Sequence, residues 1–181
     1  EELGCKVMAY TECGHGYYAT LAGYRKFGLE PRFDVTHQVK LYARWIREGR
    51  FQLDPSRNTE RVTVHDPCNA VRKASMAGFP SVADDLRYVL SHVAEDVVEA
   101  TPNREANYCC SGGGGALLAG FKRARLQYGR TKVDQIDRTG AALVCTPCVN
   151  CYDSLGNLAT DFERPWKPVH LWTPHANAIV V

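Results

Sequence analysis

Ala141-Ala142-Leu143-Val144-Cys145-Thr146-Pro147-Cys148-Val149-Asn150-Cys151 passes from a short apolar run into three cysteines spaced by two residues each, and then into an amphipathic stretch from Tyr152 to about Phe162. An apolar run this short, followed at once by a helical pattern, reads as buried strand, loop, helix. The cysteines then lie beyond the C-terminal end of a strand and beside a helix N-terminus, where open α/β sheets hold their ligands. The same order recurs upstream. Arg61-Val62-Thr63-Val64-His65 is a strand pattern ending in Asp66-Pro67-Cys68-Asn69, and Cys5 to Tyr10 is a strand pattern ending in Thr11-Glu12-Cys13-Gly14-His15-Gly16 before a helix from about Tyr17 to Phe27, stopped by Gly28.

Between these units, Pro31 to Val35 reads as a strand and Thr36 as the cap of a helix carrying Val39, Leu41, Tyr42, Trp45 and Ile46. The weakly periodic stretch from Phe51 to Glu60 reads as a surface connection between two halves. Residues 69–77 form a short helix broken at Gly78, Pro80 opens a helix through Leu86, Val89, Leu90 and Val93, and Asp96 to Glu99 is a strand. Ala116 to Asp137 is one long helical segment with Lys, Arg and Gln on its outer face, and Pro168 to Trp172 is a last strand before a short tail. Short apolar strands alternating with helices predict an α/β fold with short, mostly parallel sheets, flanking helices, two Rossmann-like halves and a metal site at the C-terminal ends of strands.

Eight cysteines in 181 residues with 45% apolar content argue for thiolates on a metal in a reducing compartment, because long amphipathic segments and tight cysteine clusters do not suit a small disulfide scaffold. With a net charge of +2 and no basic block, nucleic acid and anionic membranes are not expected partners. No apolar run approaches the roughly 20 residues of a bilayer span. Glu1-Glu2-Leu3-Gly4 is not a basic-then-apolar leader, so the expected location is cytoplasmic.

Cys109-Cys110-Ser111-Gly112-Gly113-Gly114-Gly115 holds the remaining chemistry. Neighbouring cysteines bond to each other only with backbone strain, so they read as two thiolates aimed at something outside the local chain. The glycines let backbone N–H groups approach it closely, and the run lacks the lysine and hydroxyl of a phosphate loop. Forty residues separate Cys68 from Cys109 and thirty-four separate Cys110 from Cys145. Cys68, the adjacent pair and Cys145-x-x-Cys148 bring about five thiolates to one sheet edge, more than the four that saturate a tetrahedral zinc. A polynuclear iron–sulfur centre fits that set better. Two other readings stand beside it: a structural zinc or electron-relaying docking domain without its own substrate, and a metal-free thiol–disulfide oxidoreductase using Cys145 and Cys148.

Cys68, then Cys109-Cys110 with its glycines, then Cys145-x-x-Cys148 resembles the cysteine-rich CCG domain of heterodisulfide reductase catalytic subunits and their relatives. His65-Asp66-Pro67-Cys68 and Thr11-Glu12-Cys13-Gly14-His15 are similar in particular to the iron–sulfur subunit of sulfite-reductase-associated membrane electron-transfer complexes. The resemblance implies a noncubane [4Fe-4S] cluster, with zinc as the alternative, facing a disulfide or thiol substrate. It implies Cys68, Cys109, Cys110, Cys145 and Cys148 as metal ligands, with Cys13 and Cys151 as further candidates. Ser111, Gly112 and Gly113 would line the cofactor, and Cys109, Cys110, His65 and His15 would meet the substrate. Ser111 stands where the family commonly has its first glycine, and Cys151 is a thiol beyond the usual two. Family members usually carry two copies of the motif. Residues 1–55 therefore read as a degenerate first half and 56–181 as the complete one, excised from a longer iron–sulfur protein whose other iron–sulfur or membrane subunits would tie it to a membrane.

Overall fold

Alternation along each strand decides which side of the sheet a residue serves. The computed structural model describes residues 4–11, 13–113 and 115–180, and Glu12 and Gly114 of the cysteine and glycine motifs lie outside them. β1 (Val7–Tyr10) is followed by α1 (Gly14–Phe27), β2 (Asp34–His37) and α2 (Gln38–Arg47). β3 (Val62–Val64) leads into a π-helical turn over Asn69–Lys73, then α3 (Ala74–Met76), α4 (Ala83–Val93) and β4 (Val97–Val98). α5 (Lys122–Tyr128), α6 (Arg130–Asp137), β5 (Leu143–Thr146), α7 (Val149–Asp161), β6 (Lys167–His170) and α8 (Trp172–Ala178) complete the order.

All described strand pairs are parallel. β1 and β2 make one sheet, and β4-β3-β5-β6 make the other, so the predicted α/β class holds. Val144 faces a cluster with Leu126, Val133, Ile136, Leu155 and Leu158. The neighbouring Cys145 faces the other side, among Val62, Val64, Leu86, Leu90 and Leu171. That second cluster also takes Tyr17, Val39, Ala43 and Ile46, so the first fifty residues share a core with the four-stranded sheet.

Several element boundaries differ from expectation. β2 starts at Asp34, and His37, not Thr36, caps α2 by accepting the Val39 N–H at 3.2 Å on Nδ1. The single helix expected over 116–137 is two, with a break at Gly129, where a Cβ would come within 2.5 Å of Leu158 Cδ2. The outer-face reading of that segment fails for Arg125, Lys132 and Gln135, which are buried. α8 replaces the expected tail and packs on α4. No helix among the described residues is long and apolar enough to cross a membrane.

Candidate metal centre

The loops after β1, β3 and β5 and the loop running to Cys110 meet at one end of the parallel strands. Cys13 is the N-cap residue of α1, Cys148 the N-cap residue of α7, and Cys68 precedes the π-helical turn. A cavity of about 60 Å³ lies between them, lined by Cys13, Cys68, Cys110, Cys148 and Cys151 together with His15, Gly113 and Gly115. Helix N-termini present unpaired N–H groups, which favour anionic sulfur.

Five thiols form an unbroken line of contacts. Cys68 is hydrogen-bonded to Cys109, Cys109 to Cys110, and Cys148 to Cys151. Cys110 Sγ lies 3.4 Å from Cys151 Sγ, which joins the two ends. The hydrogen bonds from Cys110 and Cys68, with the N–H of Ser111 at 3.2 Å, hold the Cys109 thiol down to about 2. A hydrogen bond from Cys151 and the backbone N–H groups of Cys151, Asn150 and Gly14 hold Cys148 at about 6. The partners keep their protons: the hydrogen bond to Cys109 raises Cys68, and raises Cys110 to about 12, while those to Cys110 and Cys148 raise Cys151. Two thiolates thus sit among three thiols before any metal arrives.

Gly14 is required where it stands. Its N–H reaches the Cys148 sulfur, and a Cβ there would lie 2.8 Å from Ala70 N and Cβ. Gly112 turns out to face α7: a Cβ on it would lie 2.7 Å from the Ser154 Cβ, while its N–H is directed at the Cys110 sulfur. Only Gly113 and Gly115 of the described glycines in the run border the cavity. Ser111 is buried with φ at 65°, a conformation that suits glycine.

Cys145 is brought elsewhere. It sits inside β5, pairs with Val64 and Val169, and its thiol is pushed up by burial alone. Side-chain alternation sends its sulfur to the face opposite Cys110, Cys148 and Cys151. Cys151, expected as a thiol beyond the usual two and a further ligand candidate, is buried in the line between Cys110 and Cys148. Cys5 is exposed and apart from the cavity.

His65 is buried, and burial drives its pKa well below the usual value, so the ring is neutral. One of its nitrogens and the Cys110 and Cys151 sulfurs lie within 4.8 Å of one another. Asn107 Nδ2 approaches His65 Nδ1 at 3.4 Å, and Lys132 Nζ donates to Asn107 Oδ1 at 2.6 Å. On the other side Arg125 donates to Ser154 Oγ at 2.8 Å, and Ser154 donates to the Cys110 carbonyl at 2.5 Å. Asn107, Arg125, Lys132 and Ser154 carried no cysteine-type signal. The one available hint was polar residues at 125, 132 and 135 interleaved with Leu126, Val133 and Ile136, which makes the stripe facing the cysteine loop partly polar.

Two larger clefts flank Cys109. One, of about 420 Å³, is bordered by Cys68, Cys109, Lys73, Phe121, Arg125 and Tyr128. The other, of about 440 Å³, is bordered by Arg72, Tyr108, Cys109, Tyr128 and Lys132. Cys68 and Cys109 therefore form the cleft-facing arm of the thiol line, and Cys110 and Cys151 are its buried part.

Known proteins resemble this chain over most of its length. It is 27% identical over 158 residues to a subunit of the dihydromethanophenazine:CoB--CoM heterodisulfide reductase of Methanosarcina barkeri, covering 87% of this chain and 37% of that protein. The subunit of the same name from Methanosarcina mazei is 29% identical over 156 residues, covering 86% and 36%. The EtfAB:quinone oxidoreductase of Syntrophomonas wolfei is 29% identical over 164 residues, covering 86% and 22%. The chain thus spans little more than a third of the length of these relatives, or less. Residues 62–156, which carry β3, the adjacent cysteines and the first turns of α7, match the cysteine-rich domain family named CCG, and the chain belongs to that family.

Proposed function

We propose that this chain is a heterodisulfide-reductase-like redox module that holds an iron–sulfur cluster and passes electrons to or from a disulfide or thiol substrate. The observation that carries this reading is the continuous line Cys68, Cys109, Cys110, Cys151, Cys148, a donor set of five sulfurs of which four border one small cavity and Cys109 borders the clefts beside it. The donor chemistry suits the group: soft thiolates select iron–sulfur clusters, five exceed what one zinc takes, and N–H groups already point at three of the sulfurs. Those five cysteines are the proposed ligands, with Cys13 and His15 on the cavity wall; Cys145, packed in the core, is left out of the proposed set.

A noncubane [4Fe-4S] cluster bound there would supply single electrons and an iron able to meet sulfur. The chain's own residues do the rest. Cys148 and Cys151 anchor from the first turn of α7, Cys109 and Cys110 close from the loop, and the Arg125–Ser154 pair fixes the Cys110 carbonyl. The cleft shared by Cys68 and Cys109 is the approach for a sulfur substrate. The overall reaction, R–S–S–R′ with two electrons and two protons giving two thiols, draws its electrons from other iron–sulfur or membrane subunits. Residues 1–55, with a cysteine at the start of α1 as Cys148 is at the start of α7, are proposed as a degenerate first half.

Anaerobic reconstitution with iron and sulfide tests the reading. A brown protein with several irons and matching acid-labile sulfide is expected, and Cys110→Ser should abolish uptake. A colourless wild-type chain holding one zinc would sink the proposal in favour of a structural metal domain.

A further inference from the structure

Lys132 is only 1% exposed, and no carboxylate pairs with it among the described residues. Its ammonium donates to two amide oxygens, Asn107 Oδ1 at 2.6 Å and Gln135 Oε1. A buried ammonium costs several kcal/mol to desolvate unless an anion lies nearby. Burial pulls the Lys132 pKa down to about 8, and the groups that favour its charge are the Cys110 sulfur, Asp66 and the Cys151 and Cys109 sulfurs; Cys109, which borders the same cleft as Lys132, is a thiolate in the metal-free chain, and Cys110 and Cys151 would become thiolates on binding metal. Asp66 is already committed, with its two oxygens 2.8 and 3.0 Å from Arg87 and a further bond at 2.7 Å from the Arg104 N–H. The charge of Lys132 is therefore left for the sulfurs.

The mounting is specific. Gln135 donates its amide N–H to the Pro102 carbonyl, which turns Oε1 toward Lys132. Asn107 donates to the Asp66 carbonyl at 3.2 Å, which turns its Oδ1 the same way. Both acceptors are neutral, so they hold the ammonium in place without cancelling its charge, and α6 fixes it behind the cysteine loop.

We infer that Lys132 is the fixed counter-cation of the cysteine cluster, a positioning residue that raises the cluster's reduction potential by stabilising its more negative, reduced state. This rests on the cluster reading above. A cation in a low-dielectric site favours the added electron, because Coulomb energies are large where water is excluded.

The test is redox titration of the reconstituted chain followed by its visible absorption, with iron and sulfide assayed in each variant. Lys132→Met should keep wild-type iron and sulfide and titrate at a more negative potential, by about a tenfold change in the one-electron equilibrium, or ~59 mV. Lys132→Arg should recover more than half of that shift. Gln135→Glu, which keeps Lys132 and sets a carboxylate against it, should lower the potential in the same direction even if Lys132→Met does not fold. Iron-loaded Lys132→Met and Gln135→Glu that titrate with the wild type overturn the inference and leave the cluster reading standing. A wild-type chain that binds no iron overturns both.

Discussion

The end of β5 and the first turn of α7 share one continuous stretch of chain and hold three buried cysteines with opposite environments. Cys145 is surrounded by valine and leucine, and burial alone keeps its proton on. Cys148 and Cys151 lie past the strand end, where the chain has turned and backbone N–H groups are free. Spacing in sequence makes Cys145-x-x-Cys148 and Cys148-x-x-Cys151 equivalent. The strand end does not, because a residue inside the strand has its direction set by the pleat, and a residue in the first helical turn faces the sheet end.

The largest effect expected from this contrast is on metal uptake. Cys151→Ala removes the thiol that joins the two ends of the line, and the reconstituted protein should lose its iron and sulfide. Cys145→Ala should retain full iron and sulfide and lose only packing, about 1–2 kcal/mol in a urea titration. Retention of the cluster in Cys151→Ala with loss in Cys145→Ala would reverse the comparison.

A smaller effect separates the same cysteines by pH in the metal-free chain. The folded pKa of Cys145 is raised above the ordinary 9.0, so its contribution to stability is complete below pH 9 and is lost as pH rises above it. Cys148, at about 6, has the opposite sign: its contribution is present above 9 and is lost as pH falls through 6. Cys145→Ala should therefore flatten the alkaline loss by roughly 1 kcal/mol between pH 9 and 10, leaving the slope from 6 to 8 as in the wild type. Urea unfolding at four pH values across this range measures both limbs, and an unchanged alkaline limb in Cys145→Ala would refute the assignment.

Much of this was legible in the sequence. The α/β class, the strands beginning near Val62 and Val97, and the nearness of Cys68, Cys109, Cys110 and Cys148 follow from local apolar runs and from loops placed at strand ends. What was not legible is tertiary. Nothing local tells that β5 runs on through Cys145 to Thr146, a length set by pairing with Val64 and Val169. That two-residue extension leaves Cys145 in the sheet core, while Cys151 joins the line of thiols. Lys132, Gln135 and Arg125 read as an outer face because charged residues are seldom fully buried, and only the cysteine loop behind α5 and α6 gives them a reason to be inside.

Ser111 gives the smallest and most local test of the loop that faces α7. Its φ of 65° places an L-residue in the left-handed region at a cost of about 1–2 kcal/mol. Its buried Oγ has no hydrogen-bond partner among the described residues, while its N–H holds the Cys109 sulfur at 3.2 Å. Glycine keeps that N–H, relieves the strain and removes the orphan hydroxyl, and it loses part of the gain to greater freedom in the unfolded chain. Ser111→Gly should therefore raise stability by about 0.5–1 kcal/mol, or ~1–4 °C in melting temperature for a chain of this size, with iron uptake unchanged. A fall in stability would mean that the Ser111 side chain carries packing that outweighs its strained backbone, and that this turn, unlike the first turn of α7, is held by its side chain and not by its N–H groups.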